Sequence, residues 1–187
     1  MRWKTLALLV GIAVGGGVLV YPHLKPYQKK RVETFLNPEA DAKGAGYHAR
    51  QSMIAVGSGQ GTGKGWNKGT QTNLSYLPEQ HTDFIFSVFA EEHGFLGCAL
   101  LLLLYLGLLT SALDIAGAAR DRFGSFLAVG IIGMLFWQVF INTGMVTGLL
   151  PVVGVTLPLM SYGGSSVVVI YTGLGLLANI GMRRFVN

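Results

Sequence analysis

Asp83 has the most to offer a reaction. It stands in Leu77-Pro78-Glu79-Gln80-His81-Thr82-Asp83-Phe84-Ile85-Phe86, where polar and ionisable groups lead into an apolar run. Pro78 cannot continue a helix from upstream, so a new helix is expected after it. Thr82 and Asp83 carry side-chain oxygens that can accept from the open N–H groups of a first helical turn. The positive end of the helix dipole favours a negative group there. Asp83 is therefore expected to be ionised near neutral pH, able to take a proton from a hydroxyl or to hold a divalent cation. Helix capping alone is the plainer account of the Thr-Asp pair.

Steps of four from Asp83 reach Ser87 and Glu91, one face of a helix. Glu91 and Glu92 sit close to an apolar run, where carboxylates usually face a cavity or a partner. Pairing with a basic residue on another helix is the favoured reading for both. His81 could assist proton transfer or serve as a hydrogen-bonding loop residue. No Ser-His-Asp or Cys-His arrangement is present, and no spacing resembles a zinc site.

Gly57-Ser58-Gly59-Gln60-Gly61-Thr62-Gly63-Lys64-Gly65-Trp66 resembles a phosphate-binding loop only superficially. A Walker loop needs Gly where Ser58 stands and Ser or Thr where Gly65 stands. What remains is a backbone able to adopt left-handed angles and approach a ligand closely. Lys64, Lys68 and Trp66 could face a headgroup; a flexible loop is the alternative.

These groups must be positioned by membrane helices. The 187 residues are 51% hydrophobic and 12% charged, against about 25% charged in a soluble domain. The net charge of +5 is dispersed, which argues against nucleic-acid binding. One cysteine, Cys98, excludes an internal disulfide and reads as apolar filler. Four apolar segments are expected to span, at about 5–21, 94–113, 125–147 and 165–182, the second continuing from a helix that begins at Thr82. No alternating strand pattern occurs, so the expected fold is all-α, a polytopic helical membrane protein. The first segment reads as a retained span rather than a cleaved leader. Arg2 and Lys4, Arg120 and Arg122, and Arg183 and Arg184 then share the cytoplasmic side, which puts long loops at about 22–81 and 148–164 outside. Lys25, Lys29, Lys30 and Arg31 run against that count, but in a long loop where the rule weakens. With Leu24, Tyr27, Val32, Phe35 and Leu36 they form a basic amphipathic piece suited to a bilayer surface.

The second outer loop is apolar yet broken by Pro151, Gly154, Pro158 and Gly163-Gly164. Such backbone survives at membrane depth only where protein or a water-filled cavity covers it. It is expected to pack over or beside the first loop. Ser161, Ser165 and Ser166 could cap the fourth span or offer hydroxyls to a ligand, and Gly163 and Gly164 could permit close helix packing. Gln138 and Asn142, one turn apart, are expected to bond to a neighbouring helix.

Three ordered blocks carry a resemblance: Leu77–Phe86, Gly148–Pro158 and Ser161–Ser166. They resemble the signatures of the SEDS family (shape, elongation, division and sporulation). Gly44-Ala45-Gly46-Tyr47-His48, Gln51-Ser52 and Gly63–Trp66 fit its rod-shape branch better than its division branch. The resemblance runs along essentially the whole chain but covers only the C-terminal half of a family member of about ten spans. It implies a multi-pass bacterial inner-membrane glycosyltransferase that polymerises lipid II outside the membrane. The donor would be an undecaprenyl-pyrophosphate-linked glycan, and a class B penicillin-binding transpeptidase would be the partner. Asp83 matches the family's essential aspartate, as base toward an acceptor hydroxyl or as a cation ligand. Lys64, Trp66, His81, Thr82 and Ser165 are the expected substrate contacts, with Lys64 and the Lys29–Arg31 cluster toward pyrophosphate. Some members carry a carboxylate eight residues before the aspartate, where this chain has Ser75. A lipid II flippase and a non-catalytic scaffold for the transpeptidase stand as alternatives.

Overall fold

The computed structural model describes residues 21–37, 44–70 and 82–183. The expected span at about 5–21 and His81 fall outside them. The described residues form helices and no strand. A short 3-10 turn at Tyr21–His23 leads to α1 (Pro26–Leu36), with a proline at its start. Then come α2 (Ala45–Ser58), α3 (Ile85–Gly117), α4 (Arg122–Val146) and α5 (Gly164–Arg183). The last three are long and apolar enough to cross a membrane.

α3 is not one rod. Gly94 interrupts it at φ 64° and ψ −164°, a combination essentially restricted to glycine. Two hydrogen bonds fix the consequence. Ser161 Oγ donates to the Thr82 carbonyl at 2.6 Å, and the Tyr105 hydroxyl donates to the Pro158 carbonyl. A straight helix would hold Thr82 and Tyr105 about 34 Å apart at a rise of 1.5 Å per residue, yet both bind the same short stretch, 158–161. The chain therefore folds back at Gly94, with limb 85–93 running against limb 95–117. Phe84, Phe86 and Tyr105 accordingly share one core cluster with Ala55, Val139, Met145, Val146 and Leu157.

The glycine-rich segment makes this fold possible. A break strands the last carbonyls of one helix and the first N–H groups of the next. Lys64 and Gly65 donate their N–H groups to the Glu91 and Glu92 carbonyls, both at 3.0 Å. Phe95 and Leu96 donate theirs to the Gln60 and Gly61 carbonyls, at 2.8 and 3.0 Å. A side chain at Gly63 (φ +79°) would collide with the Glu92 carbonyl, and one at Gly94 with the Gly63 nitrogen. The segment is thus a docked clasp, not a flexible loop, and Gly59 and Gly63 are the glycines that admit the backbone of the limb.

The short connection between α3 and α4 makes those helices antiparallel neighbours. Asp121 caps α4, accepting from the Gly124 N–H at 3.2 Å. A second core, Ala112, Ala116, Ala128, Ile131, Ile132, Leu135, Ile170 and Leu177, joins α3, α4 and α5. Close packing of α5 passes through Gly173 against Ile131. The expected small residues do not serve it: a side chain on Gly164 would meet nothing within 4 Å, and one on Gly163 only ordinary contacts. Cys98 is half-buried beside the first core.

Candidate active site

Asp83 lies at the start of the re-entrant limb, just ahead of α3. The expected capping role is corrected: α3 begins at Ile85, Phe84 is its N-cap residue, and no side chain caps it. The cause is local. The Ser87 N–H, which a helix would direct to the Asp83 carbonyl, bonds to the Phe84 carbonyl at 3.0 Å. The Ser87 hydroxyl donates to the same oxygen at 2.6 Å. The Asp83 carbonyl is left outside the ladder, and Asn142 on α4 takes it at 2.8 Å. The same Asn142 Nδ2 donates to the Val155 carbonyl at 2.6 Å.

The second outer loop packs directly on this point. Gly154 has φ +75°, and a side chain there would come within 3.0 Å of Asp83 Oδ2, so the carboxylate lies against that glycine. Ser161, which holds the Thr82 carbonyl, accepts from the Leu157 N–H at 2.7 Å. Thr156 and Ser166 hydroxyls pair at 2.9 Å. Asp83 is half-buried. A carboxylate is thus held on main chain clamped from two sides, at the end of α4 opposite Arg122.

Of the expected contacts, Thr82 adjoins Asp83. Ser165 lies exposed on the first turn of α5, and its neighbours Ser161 and Ser166 make the loop's hydrogen bonds instead. Lys64 and Trp66 sit at the far end of the limb. The expectation that Lys64 faces a headgroup is corrected: its ammonium reaches Glu91 Oε1 at 2.6 Å and Thr70 Oγ1 at 2.8 Å. Glu91 is fully buried, and the same oxygen also accepts from the Thr70 N–H at 2.8 Å and hydroxyl at 2.9 Å. A buried carboxylate requires such partners. Among the described residues the basic partner of Glu91 is a lysine of the glycine-rich loop. Glu92 accepts from the Asn67 N–H at 3.0 Å. Trp66 is 79% exposed and meets the His93 ring edge-on at 6.0 Å. Asp83 and Glu91 are separated along the limb by about 12 Å.

Asn142, Gly154 and Ser161 complete the surroundings of Asp83. The expected bond from Asn142 to a neighbouring helix is replaced by two loop carbonyls, and Gln138 Oε1 is buried with no partner among the described residues. Among the described residues no group of three or more His, Cys, Asp or Glu could hold a metal ion.

The class is a polytopic, all-helical membrane fold with Asp83 at the head of its re-entrant limb. The chain belongs to the cell cycle protein family of FtsW, RodA and SpoVE, whose match extends over residues 1–185. It is 48% identical over 185 residues to peptidoglycan glycosyltransferase MrdB of Escherichia coli, covering 98% of this chain and 50% of the relative. It is 49% identical over 155 residues to stage V sporulation protein E of Bacillus subtilis, covering 83% and 42%. A chain in the solved structure of a peptidoglycan synthase complex superposes with a TM-score of 0.74 at 35% identity, covering 99% of this chain and 51% of that one. Rod shape determining protein RodA of Thermus thermophilus gives 0.53 at 44% identity, covering 58% and 36%. The chain spans about half the length of the curated relatives it matches.

Proposed function

We propose that this chain supplies the base-bearing half of a peptidoglycan glycosyltransferase in rod-shape elongation. The observation that carries the reading is the placement of Asp83: a carboxylate on clamped main chain, against a side-chain-free glycine, at the end of the bundle away from Arg120 and Arg122. By the positive-inside rule that end is extracytoplasmic. The 48% identity to a relative named as a peptidoglycan glycosyltransferase supports the reaction class.

In this reading Asp83 takes the proton of the acceptor GlcNAc 4-hydroxyl on lipid II. The oxygen attacks the anomeric carbon of the donor glycan. The bond from that carbon to undecaprenyl pyrophosphate breaks, and the pyrophosphate leaves with the bonding pair. Gly154 leaves room for the incoming sugar beside the carboxylate. Thr82 and the hydroxyls of Thr156, Ser165 and Ser166 are the nearest candidates to orient it. Lys64 and Trp66 belong to the clasp here. The likeness to a chain of a peptidoglycan synthase complex supports a transpeptidase partner of the penicillin-binding class.

The test is lipid II polymerisation in membranes, with this chain supplied together with the remaining half of the family fold. Asp83→Ala is expected to abolish polymer and leave insertion intact. Polymer at the parent level would refute the role. Lipid II changing sides in vesicles without any polymer would favour a flippase.

A further inference from the structure

We infer that Asn142 is a positioning residue that sets where the Asp83 carboxylate stands, an inference that rests on the function proposed above. Asn142 is fully buried near the end of α4. Its single amide nitrogen holds two carbonyls from different loops, Asp83 at 2.8 Å and Val155 at 2.6 Å. Both oxygens need a donor: the Asp83 carbonyl has lost its helical partner, and a buried carbonyl without one costs about 1–3 kcal/mol.

Only asparagine meets the demand at this reach. Two acceptors require two N–H bonds from one atom, which a terminal amide provides. Aspartate has the same shape and neither donor. Leucine has similar bulk and none. Glutamine carries the amide one methylene too far. The orientation of the amide is also fixed, because turning it would set Oδ1 against two carbonyl oxygens. Oδ1 itself is buried with no partner among the described residues.

The geometric effect reaches the carboxylate through one residue on each side. Val155 follows Gly154, the residue against which Asp83 Oδ2 lies. Binding the Asp83 and Val155 carbonyls to one nitrogen fixes the separation between the carboxylate and the Gly154 backbone. That contact sets where the carboxylate stands relative to the loop beside it. Asn142 is joined to α4, which is anchored through Ile131, Ile132 and Leu135 in a core that neither loop enters, while Val139, Met145 and Val146 pack with Phe84 and Leu157. The rigid helix therefore sets the register between two irregular segments.

The experiment measures lipid II polymerisation kinetics for Asn142→Leu, Asn142→Asp and Asn142→Gln, again with the remaining half of the fold present. Rates are normalised to folded protein, and the melting temperature of each variant is recorded. Misplacing a reacting group by about 1 Å can cost about 100-fold in rate. The expected result is a kcat lower by about that factor for Asn142→Leu and Asn142→Asp, with KM for lipid II within about threefold of the parent. Should the leucine variant not fold, the two polar variants decide. Parent-level kcat in the folded variants overturns the inference, as does a loss carried wholly by KM. Asp83→Ala separates the two levels. If it keeps polymerising, the function reading has failed. If it is dead while the Asn142 variants match the parent, only the positioning role has failed.

Discussion

Limb 85–93 and its approach carry three carboxylates, and two of them, Asp83 and Glu91, eight residues apart in sequence, are held in opposite ways. Glu91 is fully buried, and its Oε1 is held by Lys64, Thr70 and Ser58. Asp83 is half-buried; its main chain is fixed by Asn142, and its carboxylate lies against a glycine. At the Gly94 end the protein spends a carboxylate on holding a fold-back together. At the Asp83 end it spends neighbouring groups on holding a carboxylate in place. The same side-chain chemistry is tied through a carboxylate oxygen at one end and through its main chain at the other.

The sharpest way to break this contrast is to remove each carboxylate. Asp83→Ala should cost polymerisation about 10²–10⁴-fold, the usual worth of a general base, with little change in melting temperature. Gly94→Ala should come next, acting on folding: a side chain there meets the Gly63 nitrogen at 2.3 Å in a glycine-only conformation. Strain alone contributes about 1–3 kcal/mol before the clash, read as lost monodisperse protein on size exclusion. Glu91→Ala should destabilise by about 3 kcal/mol, the lower end for a broken buried pair because the Lys64 side chain is 27% exposed. Thermal unfolding in detergent measures it, and kcat per folded molecule should hold. Combining it with Lys64→Met should cost less than the two single losses together, since the pair is removed as a unit. A kcat loss in folded Glu91→Ala would erase the distinction between the two ends. Trp66→Ala should do least, within about 0.5 kcal/mol, because the ring is largely exposed.

Much of this was legible in the residues. Long apolar runs made a helical membrane fold legible, because hydropathy over about 20 residues is a strong signal. Asp83 stood out through its neighbours, and the failure of Gly57–Trp66 as a Walker loop was plain from Ser58 and Gly65. The partners were not legible. Lys64 looked like a headgroup ligand because nothing local reveals that Glu91 lies across a break from it. Thr82 and Asp83 looked like caps because the diversion of the Ser87 N–H to Phe84 is not written in any spacing. Asn142 was noticed as polar on an apolar helix, but its acceptors lie 59 and 13 residues away.

The sequence by itself determined the membrane class and the all-helical fold, because these follow from composition and from hydropathy along the chain, and it singled out Asp83 as the carboxylate to propose. Only the tertiary structure decided that the chain turns back at Gly94, that the glycine-rich segment seals the break, and that Glu91 pairs with Lys64. Those outcomes depend on which distant donor reaches which stranded carbonyl, and that is settled by packing in three dimensions.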